Sequence, residues 1–551
     1  MRRAACLALL LAACPKGTSS MPGPGLPVVV VAKGIITNDP ARPRATALII
    51  KGGKIIYVGD AAGAKSAAGP EATVDELDGW VVPGLADAHA HLTSLGTSLS
   101  IANLTEAKDE ADAVKAVVAK VNAAEAHQGD WLLGRGWDQN DWPSKQFPSR
   151  ASLDAALPKT KVYLRRIDGH AAWASSEALA AVGITRDTKD PEGGRILRDA
   201  KGEPTGILVD NAMDLVELKL PQPSEEQLKR RLKAAIEKCV SVGLTSIHDA
   251  GMELRSFDQL QAWDAIGALP IRVYAMADAQ GPDAEAYLGR GTFEGKHLRM
   301  KGAKLLADGA LGSRGAAMEA PYSDEPSTSG LLLMSEPVLE QKATAFSERG
   351  FQVAIHAIGD RANRIVIDLL SKLEKKRPGS RHRVEHAQLL TAPLVEKLKT
   401  AGLVASFQPT HATSDMPWAP ARVGEERLKF AYAWRSVLDT GAHVAFGSDF
   451  PVEKPDVLLG LYAARTRQDL DGLPAGGWHP EQKVSGAEAL AGFTSGAAYA
   501  EFAEDRRGMI KAGYDADFTA LSVDPVDGDA AALPKAQVLV TVVDGVDVYR
   551  R

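Results

Sequence analysis

The chain has 551 residues, 45% hydrophobic and 24% charged, with 51 Gly and 31 Pro, a composition that excludes a disordered, collagenous or coiled-coil protein. That length leaves room for a large core, as roughly three or four domains or as one barrel of about 250 residues carrying insertions. The 64 basic and 70 acidic residues balance to −6, and no Lys/Arg-rich run supplies the electrostatic footprint of a nucleic-acid binder.

Arg2 and Arg3 precede an apolar run, 4–13, which at about 1.5 Å per residue reaches only about half of a ~30 Å hydrocarbon layer. It cannot span as a helix. The run closes in Leu11-Ala12-Ala13-Cys14 and opens into a polar tether, 14–27. This arrangement resembles a bacterial lipoprotein signal. The resemblance implies removal of 1–13, acylation of Cys14, and an exported protein facing the periplasm or the cell exterior that meets the membrane only through its lipid. The other reading is a plain secretory signal with an incidental cysteine. Of the three cysteines, Cys6 and Cys14 are then accounted for, and Cys239 is left without a disulfide partner.

Two β-rich pieces follow, 28–37 and 45–59, the second with Gly52-Gly53 as a hairpin turn. Similar runs return at 516–521 and 537–549. The chain is expected to join its two ends, 28–79 and 500–551, in one β-sandwich beside an 80–499 domain. Within that domain, apolar strands at 80–82, 244–247, 271–276, 300–306, 351–355, 382–384, 403–407 and 443–446 alternate with helical stretches such as 224–242 and 361–375. Eight such units predict an α/β fold, a (β/α)8 TIM barrel with active residues at the C-terminal ends of its strands. The 93–222 segment is too long for a βα loop. It reads as an insertion after the first barrel strand, with its own strand at 162–166, shaping the pocket over the mouth.

In extended backbone His89 and His91 face the same side, so both can enter the mouth and share a metal. His356, His386 and Asp449 each stand where a later apolar strand meets a turn. Singly, each has an ordinary structural reading. Together at one barrel mouth, imidazoles and a carboxylate suit zinc best among divalent metals. Lys304 interrupts an apolar strand. Burial lowers a lysine's pKa, and the neutral amine can take up CO2 to become an anionic carbamate ligand; pairing with Asp308 or Asp249 is the alternative. The remaining pocket candidates are His170, His411, Asp415, Trp137 and Arg314. Trp137 also reads as a core residue of the insertion, and Arg314 as an ion-pair partner of Asp308. His248-Asp249 reads as a support for the ligands, and His127, His297, His382, His443 and His479 as structural or solvated.

The order H-x-H, Lys, His, His, Asp across a barrel flanked by a β-sandwich resembles the amidohydrolase superfamily. Several strings resemble its amidohydrolase-3 branch, which includes N-substituted formamide deformylase: Gly134 to Trp142, Asp168-Gly169-His170, Asp308 to Arg314, Gly359 to Ala362, Gln408 to His411 and Gly447 to Glu453. The resemblance runs from about residue 28 to 549. It implies one metal on His89, His91 and Asp449, a second on His356 and His386, and carboxylated Lys304 bridging them. It further implies a metal-activated water as nucleophile and Asp449 as the general base that returns the proton to the leaving amine.

The expected activity is therefore hydrolysis of a carbon–nitrogen bond other than a peptide bond, in a small N-acyl or N-formyl amide. Deamination, ester hydrolysis, or a non-catalytic lipid-anchored binding role are the alternatives. A homo-oligomer is left open.

Overall fold

The computed structural model describes residues 25–551. The expected signal segment, Cys14 and most of the tether lie outside the described residues. Among those described, no helix is long and apolar enough to cross a membrane.

Eight parallel strands form the central sheet: Leu85–Ala90, Leu244–Met252, Arg272–Asp278, Leu298–Leu306, Gln352–Ala357, Arg383–His386, Val404–Phe407 and His443–Phe446. The first and last strands meet just beyond their ends. Ala90 bridges Phe450, the Asp449 N–H donates to the His89 carbonyl at 2.7 Å, and the His91 N–H donates to the Phe450 carbonyl at 2.9 Å. The seam that closes the TIM barrel thus runs through the candidate ligands, and ties the positions of His89, His91 and Asp449 to one another.

The expected first barrel strand at 80–82 is corrected. Trp80 to Pro83 ends the strand Thr73–Pro83 and pairs antiparallel with Phe518–Leu521 in the terminal sheet. The first barrel strand is instead Leu85–Ala90, buried along its whole length and carrying Asp87 and His89. Pro83-Gly84 separates the two strands, and a side chain at Gly84 would meet Thr245 Oγ1 at 2.4 Å. The apolar run drew the sequence reading; the true strand hides behind polar residues.

The terminal sheet is one continuous seven-stranded sheet, ordered Val546–Arg550, Val538–Val543, Phe518–Leu521, Thr73–Pro83, Val28–Ile36, Arg44–Lys51, Lys54–Gly59. Leu48, Ile50 and Ile55 from one end share an apolar cluster with Val540 and Val542 from the other, while Val29, Ala47 and Ile49 form a second cluster with Ala64. The expected sandwich is this folded sheet, joining both ends of the chain. Gly52 and Gly53 turn its hairpin at φ 58° and 74°, the left-handed pair that a two-residue turn requires.

Helices cover the barrel. Glu225–Ser241 starts in a capping box between Ser224 and Gln227 and buries Leu228, Leu232 and Ile236, each contributing about 1.5–3 kcal/mol. Asp360–Lys376 has an acidic first turn and Lys375 and Lys376 in its last, in keeping with the helix dipole.

The 93–222 insertion builds its own sheet, ordered Gly194–Arg198, Pro204–Asp210, Ala171–Ala174, Lys161–Arg166, Trp131–Trp137, Ala102–Asn103, with His127–Gln128 beside Trp131–Trp137. Each face packs a separate apolar cluster. Its strand ends, at Arg135, Arg166 and Asp210, reach the barrel mouth.

Candidate active site

A cavity of about 820 Å³ opens at the C-terminal ends of the barrel strands, walled on one side by the insertion. His89, His91, Lys304, His356, His386 and Asp449 all line it, as do His170, His411 and Asp415.

The histidines form a chain of neighbours. Ring centroids lie 4.7 Å apart for His89 and His386, 4.5 Å for His386 and His356, and 5.1 Å for His356 and His170. His89 Nδ1 bonds the Glu385 carboxylate, which leaves the Nε2 lone pair facing the mouth, 3.1 Å from Lys304 Nζ and 3.6 Å from Asp449 Oδ1. His91 Nε2 lies 3.1 Å from the same oxygen. His386 donates Nδ1–H to Gln408 Oε1 at 2.8 Å, so its Nε2 is free. His356 turns Nε2 toward the Gly309 carbonyl and Asp308, leaving Nδ1 without a protein partner.

Two of these residues sit in the left-handed region of backbone space, His386 at φ 68° and Asp449 at φ 61°. Such conformations cost of order 1–3 kcal/mol each and persist only where surrounding structure enforces them. On the strand Arg383–His386, simple alternation would send His386 to the face opposite Glu385. The turn at its own φ brings the imidazole back to the mouth.

Burial, reinforced by Lys304, pushes His89 down to about 4. It also holds His356 and His386 well below the usual imidazole range. All three are neutral near pH 7, the form that coordinates a metal. Burial likewise lowers Lys304 to about 8, so a neutral amine is accessible. Burial alone would raise Asp449, but the imidazoles of His89 and His91 outweigh it and hold the carboxylate well below its ordinary value. Glu385 is also held down. Against its own burial, Arg383 bonds it from Nε at 2.6 Å and Nη2 at 3.1 Å.

The donor set fits a divalent cation. Single ligand atoms of His89, His386 and Asp449 lie within 4.8 Å of one another, and Asp449 Oδ1 is buried with His91 Nε2 at 3.1 Å and His89 Nε2 at 3.6 Å from it. His386 thus stands as close to the His89 and Asp449 group as to His356, so the expected division into two ligand sets is not sharp in this geometry.

His170 Nδ1 bonds Asp210 at 2.8 Å, and Asp415 accepts from Tyr432 Oη at 2.7 Å and Gln388 Nε2 at 3.2 Å. His411 Nε2 is buried, unpartnered and 3.8 Å from Asp449 Oδ2. Two expected substrate contacts are corrected. Trp137 is fully buried in the insertion core between Trp142 and Trp173, with its indole N–H on the Leu164 carbonyl. Arg314 pairs with Asp324 at 3.0 Å, away from the cavity and not with Asp308. Asp308 instead caps a loop, accepting the N–H groups of Ala317, Ile358 and Gly359, and burial raises it to about 7.

Of the supporting pair, His248 bonds Arg383 at 3.0 Å and Asp249 accepts the Leu92 N–H. The sequence reading passed over Arg383 and Glu385 as site residues. Two opposite charges two apart within an apolar strand were the available signal. Arg135 and Gln408 lay within strings that carried the family resemblance but were not singled out, and Asp210 carried no signal.

A family model described as the amidohydrolase family matches residues 73–549. The chain belongs to that family, and is a hydrolase by that membership. Among its relatives, YtcJ of Bacillus subtilis is 34% identical over 491 residues, covering 88% of this chain and 91% of that one. N-substituted formamide deformylase of Arthrobacter pascens is 28% identical over 543 residues, covering 95% and 98%. An uncharacterized metal-dependent hydrolase of Pyrococcus horikoshii, a solved structure, matches with a TM-score of 0.74 at 28% identity, covering 92% of this chain and 99% of that one.

Proposed function

We propose that this amidohydrolase is a metal-dependent enzyme that cleaves a carbon–nitrogen bond other than a peptide bond, in a small N-acyl or N-formyl amide. The observation that carries the reading is the convergence on the buried Asp449 carboxylate of His89, His91 and His386, with His91 Nε2 at 3.1 Å and the ligand atoms of His89, His386 and Asp449 within 4.8 Å of one another. Imidazole nitrogens and a carboxylate brought this close in a buried pocket form a donor set that a divalent cation completes. His89, His91, His386 and Asp449, with His356 beside them, would hold the metal, for which zinc best suits the donors. Lys304, carboxylated, would supply the anion shared by two ions. A divalent cation held there would lower the pKa of a coordinated water toward neutrality and polarise a carbonyl.

The chain's own residues do the rest. Asp449, anionic at neutral pH, accepts the proton of the attacking water at a carboxylate oxygen and passes it to the leaving nitrogen. Glu385, held by Arg383, keeps the His89 proton on Nδ1 and so keeps its Nε2 lone pair toward the mouth. His411 and His170 lie at the mouth as donors for charge that develops on the substrate oxygen.

Similarity to the N-substituted formamide deformylase supports an N-formyl or N-acyl substrate, and similarity to the Pyrococcus metal-dependent hydrolase supports the metal. Export as a lipoprotein is proposed from the sequence alone. Labelled fatty acid should enter the wild type but not Cys14→Ser; equal membrane retention of both without label would reject the anchor.

The deciding experiment is metal analysis of the purified protein with a panel of N-formyl and N-acyl amides, esters, cyclic imides and ring amidines. Release of a carboxylate and an amine in proportion to bound metal is expected. Turnover of esters alone, or release of ammonia from amidines alone, would replace this reading with the esterase or deaminase one.

A further inference from the structure

The insertion strands Trp131–Trp137 and Lys161–Arg166 run parallel, and their register sets Arg135 beside Arg165. Like charges in that position repel. Arg165 is neutralised by Glu217, with Nε at 2.8 Å, and Arg166 by Asp138 and Asp168. Arg135 is not. It is only 9% exposed, yet among the described residues no carboxylate pairs with it. Its one bond is Nη2 to the Ile167 carbonyl at 2.8 Å; Nε is buried without a partner and Nη1 has none. Guanidinium does not shed its proton in proteins, so the charge stays and calls for an anion.

The free end of the group faces open space. Arg135 borders both the main cavity and an adjoining recess of about 180 Å³ reached past His91 and Ser94. Gly169, at φ 77°, lies opposite: a Cβ there would stand 3.7 Å from both Nη1 and Nη2, so its absence leaves room directly before the two terminal nitrogens.

We propose that Arg135 binds a carboxylate of the substrate, so that the amide cleaved here carries an acid group beyond its scissile bond. A planar monoanion matches the end-on pair of nitrogens. A phosphate dianion is disfavoured, because Asp249 and Glu253 also line the recess and only one positive charge is uncompensated. This inference rests on the hydrolase reading for the position of the reacting bond.

The test uses N-formyl ω-amino acids with one to five methylenes and the primary carboxamide of each, with metal-loaded enzyme. At the best chain length, the wild type should favour the acid over its carboxamide in kcat/KM by about 10- to 100-fold, the range of a charged hydrogen bond. Arg135→Gln should bring that ratio to about one, and Arg135→Lys should restore part of it. A wild-type ratio of one at every length would overturn the proposal. So would a ratio that survives in Arg135→Gln, as it would if the mutation lowered both activities through a merely structural role.

Equilibrium binding of the same pairs to Asp449→Asn, with and without Arg135→Gln, separates the two readings. Should none of the compounds be cleaved, an acid preference in Kd that depends on Arg135 would uphold the subsite while the amide reading fails. Equal Kd values would overturn the subsite as well.

Discussion

The two walls of the cavity are built on opposite electrostatic plans. The barrel side collects imidazoles that burial keeps neutral, His89, His356 and His386, around the Asp449 carboxylate, an arrangement of lone pairs. The insertion side collects full charges, nearly all already neutralised in place: Arg165 by Glu217, Arg166 by Asp138 and Asp168, and His170 beside Asp210. Lone pairs without protons suit coordination, whereas compensated charges suit shape and orientation. The proposed chemistry rests on one group from each wall: Asp449, on which the barrel imidazoles converge, and Arg135, the insertion arginine at the cavity that no carboxylate pairs.

Removal of metal should have the largest effect. Dialysis against a chelator is expected to abolish turnover and lower the melting temperature, and the divalent ion should restore both. A cation present at about 100 times its Kd stabilises by about 2.7 kcal/mol. Full activity in a verified metal-free protein would break the contrast between the walls. Asp449→Asn comes next. It should keep the fold, by circular dichroism, and lose at least about 100-fold in kcat, the contribution of general-base catalysis alone. A kcat close to wild type at full metal occupancy would remove Asp449 from its role.

Lys304→Ala is expected to lower the metal-to-protein ratio and abolish activity, with partial rescue of both by formate or acetate filling the vacated anionic position. Unchanged stoichiometry would mean that Lys304 serves only as a neighbour of His89. Glu385→Gln leaves Arg383 buried without its carboxylate and His89 without its acceptor. Urea unfolding should register a loss of about 3–5 kcal/mol, and metal affinity should fall about 10- to 100-fold. The smallest effect is expected for Arg314→Ala. Its partner Asp324 keeps Arg422, and a partly exposed pair is worth less than about 1 kcal/mol. If this variant, rather than Arg135→Gln, erased a preference for acidic substrates, charge recognition would have to be moved to the loop that carries it.

Seven of the eight barrel strands were legible because each reads as an apolar run with a turn behind it. The eighth was misplaced by five residues along the chain, since Leu85–Ala90 alternates alanine with Asp87 and His89 and does not look like a core strand, while the neighbouring Trp80-Val81-Val82 does. The six candidate ligands drew attention for local reasons: the H-x-H spacing of His89 and His91, a lysine inside an apolar run at Lys304, and His356, His386 and Asp449 where apolar strands meet turns. Trp137 stayed open between a pocket wall and the insertion core because indole suits both, and packing against Trp142 and Trp173 decides for the core.

The sequence by itself determined what is local: the strand and helix periodicity, the hairpin glycines, and the side-chain types able to bind a metal. Tertiary structure alone decided what depends on closure and on pairing at long range. The bonds between His89 and Asp449 and between His91 and Phe450 close the barrel across about 360 residues of chain. Glu385 reaches His89 across 296. Whether a buried charge is neutralised, as at Arg165, or left open, as at Arg135, depends on which distant side chain lies within hydrogen-bonding distance, a quantity that no local pattern of residues contains.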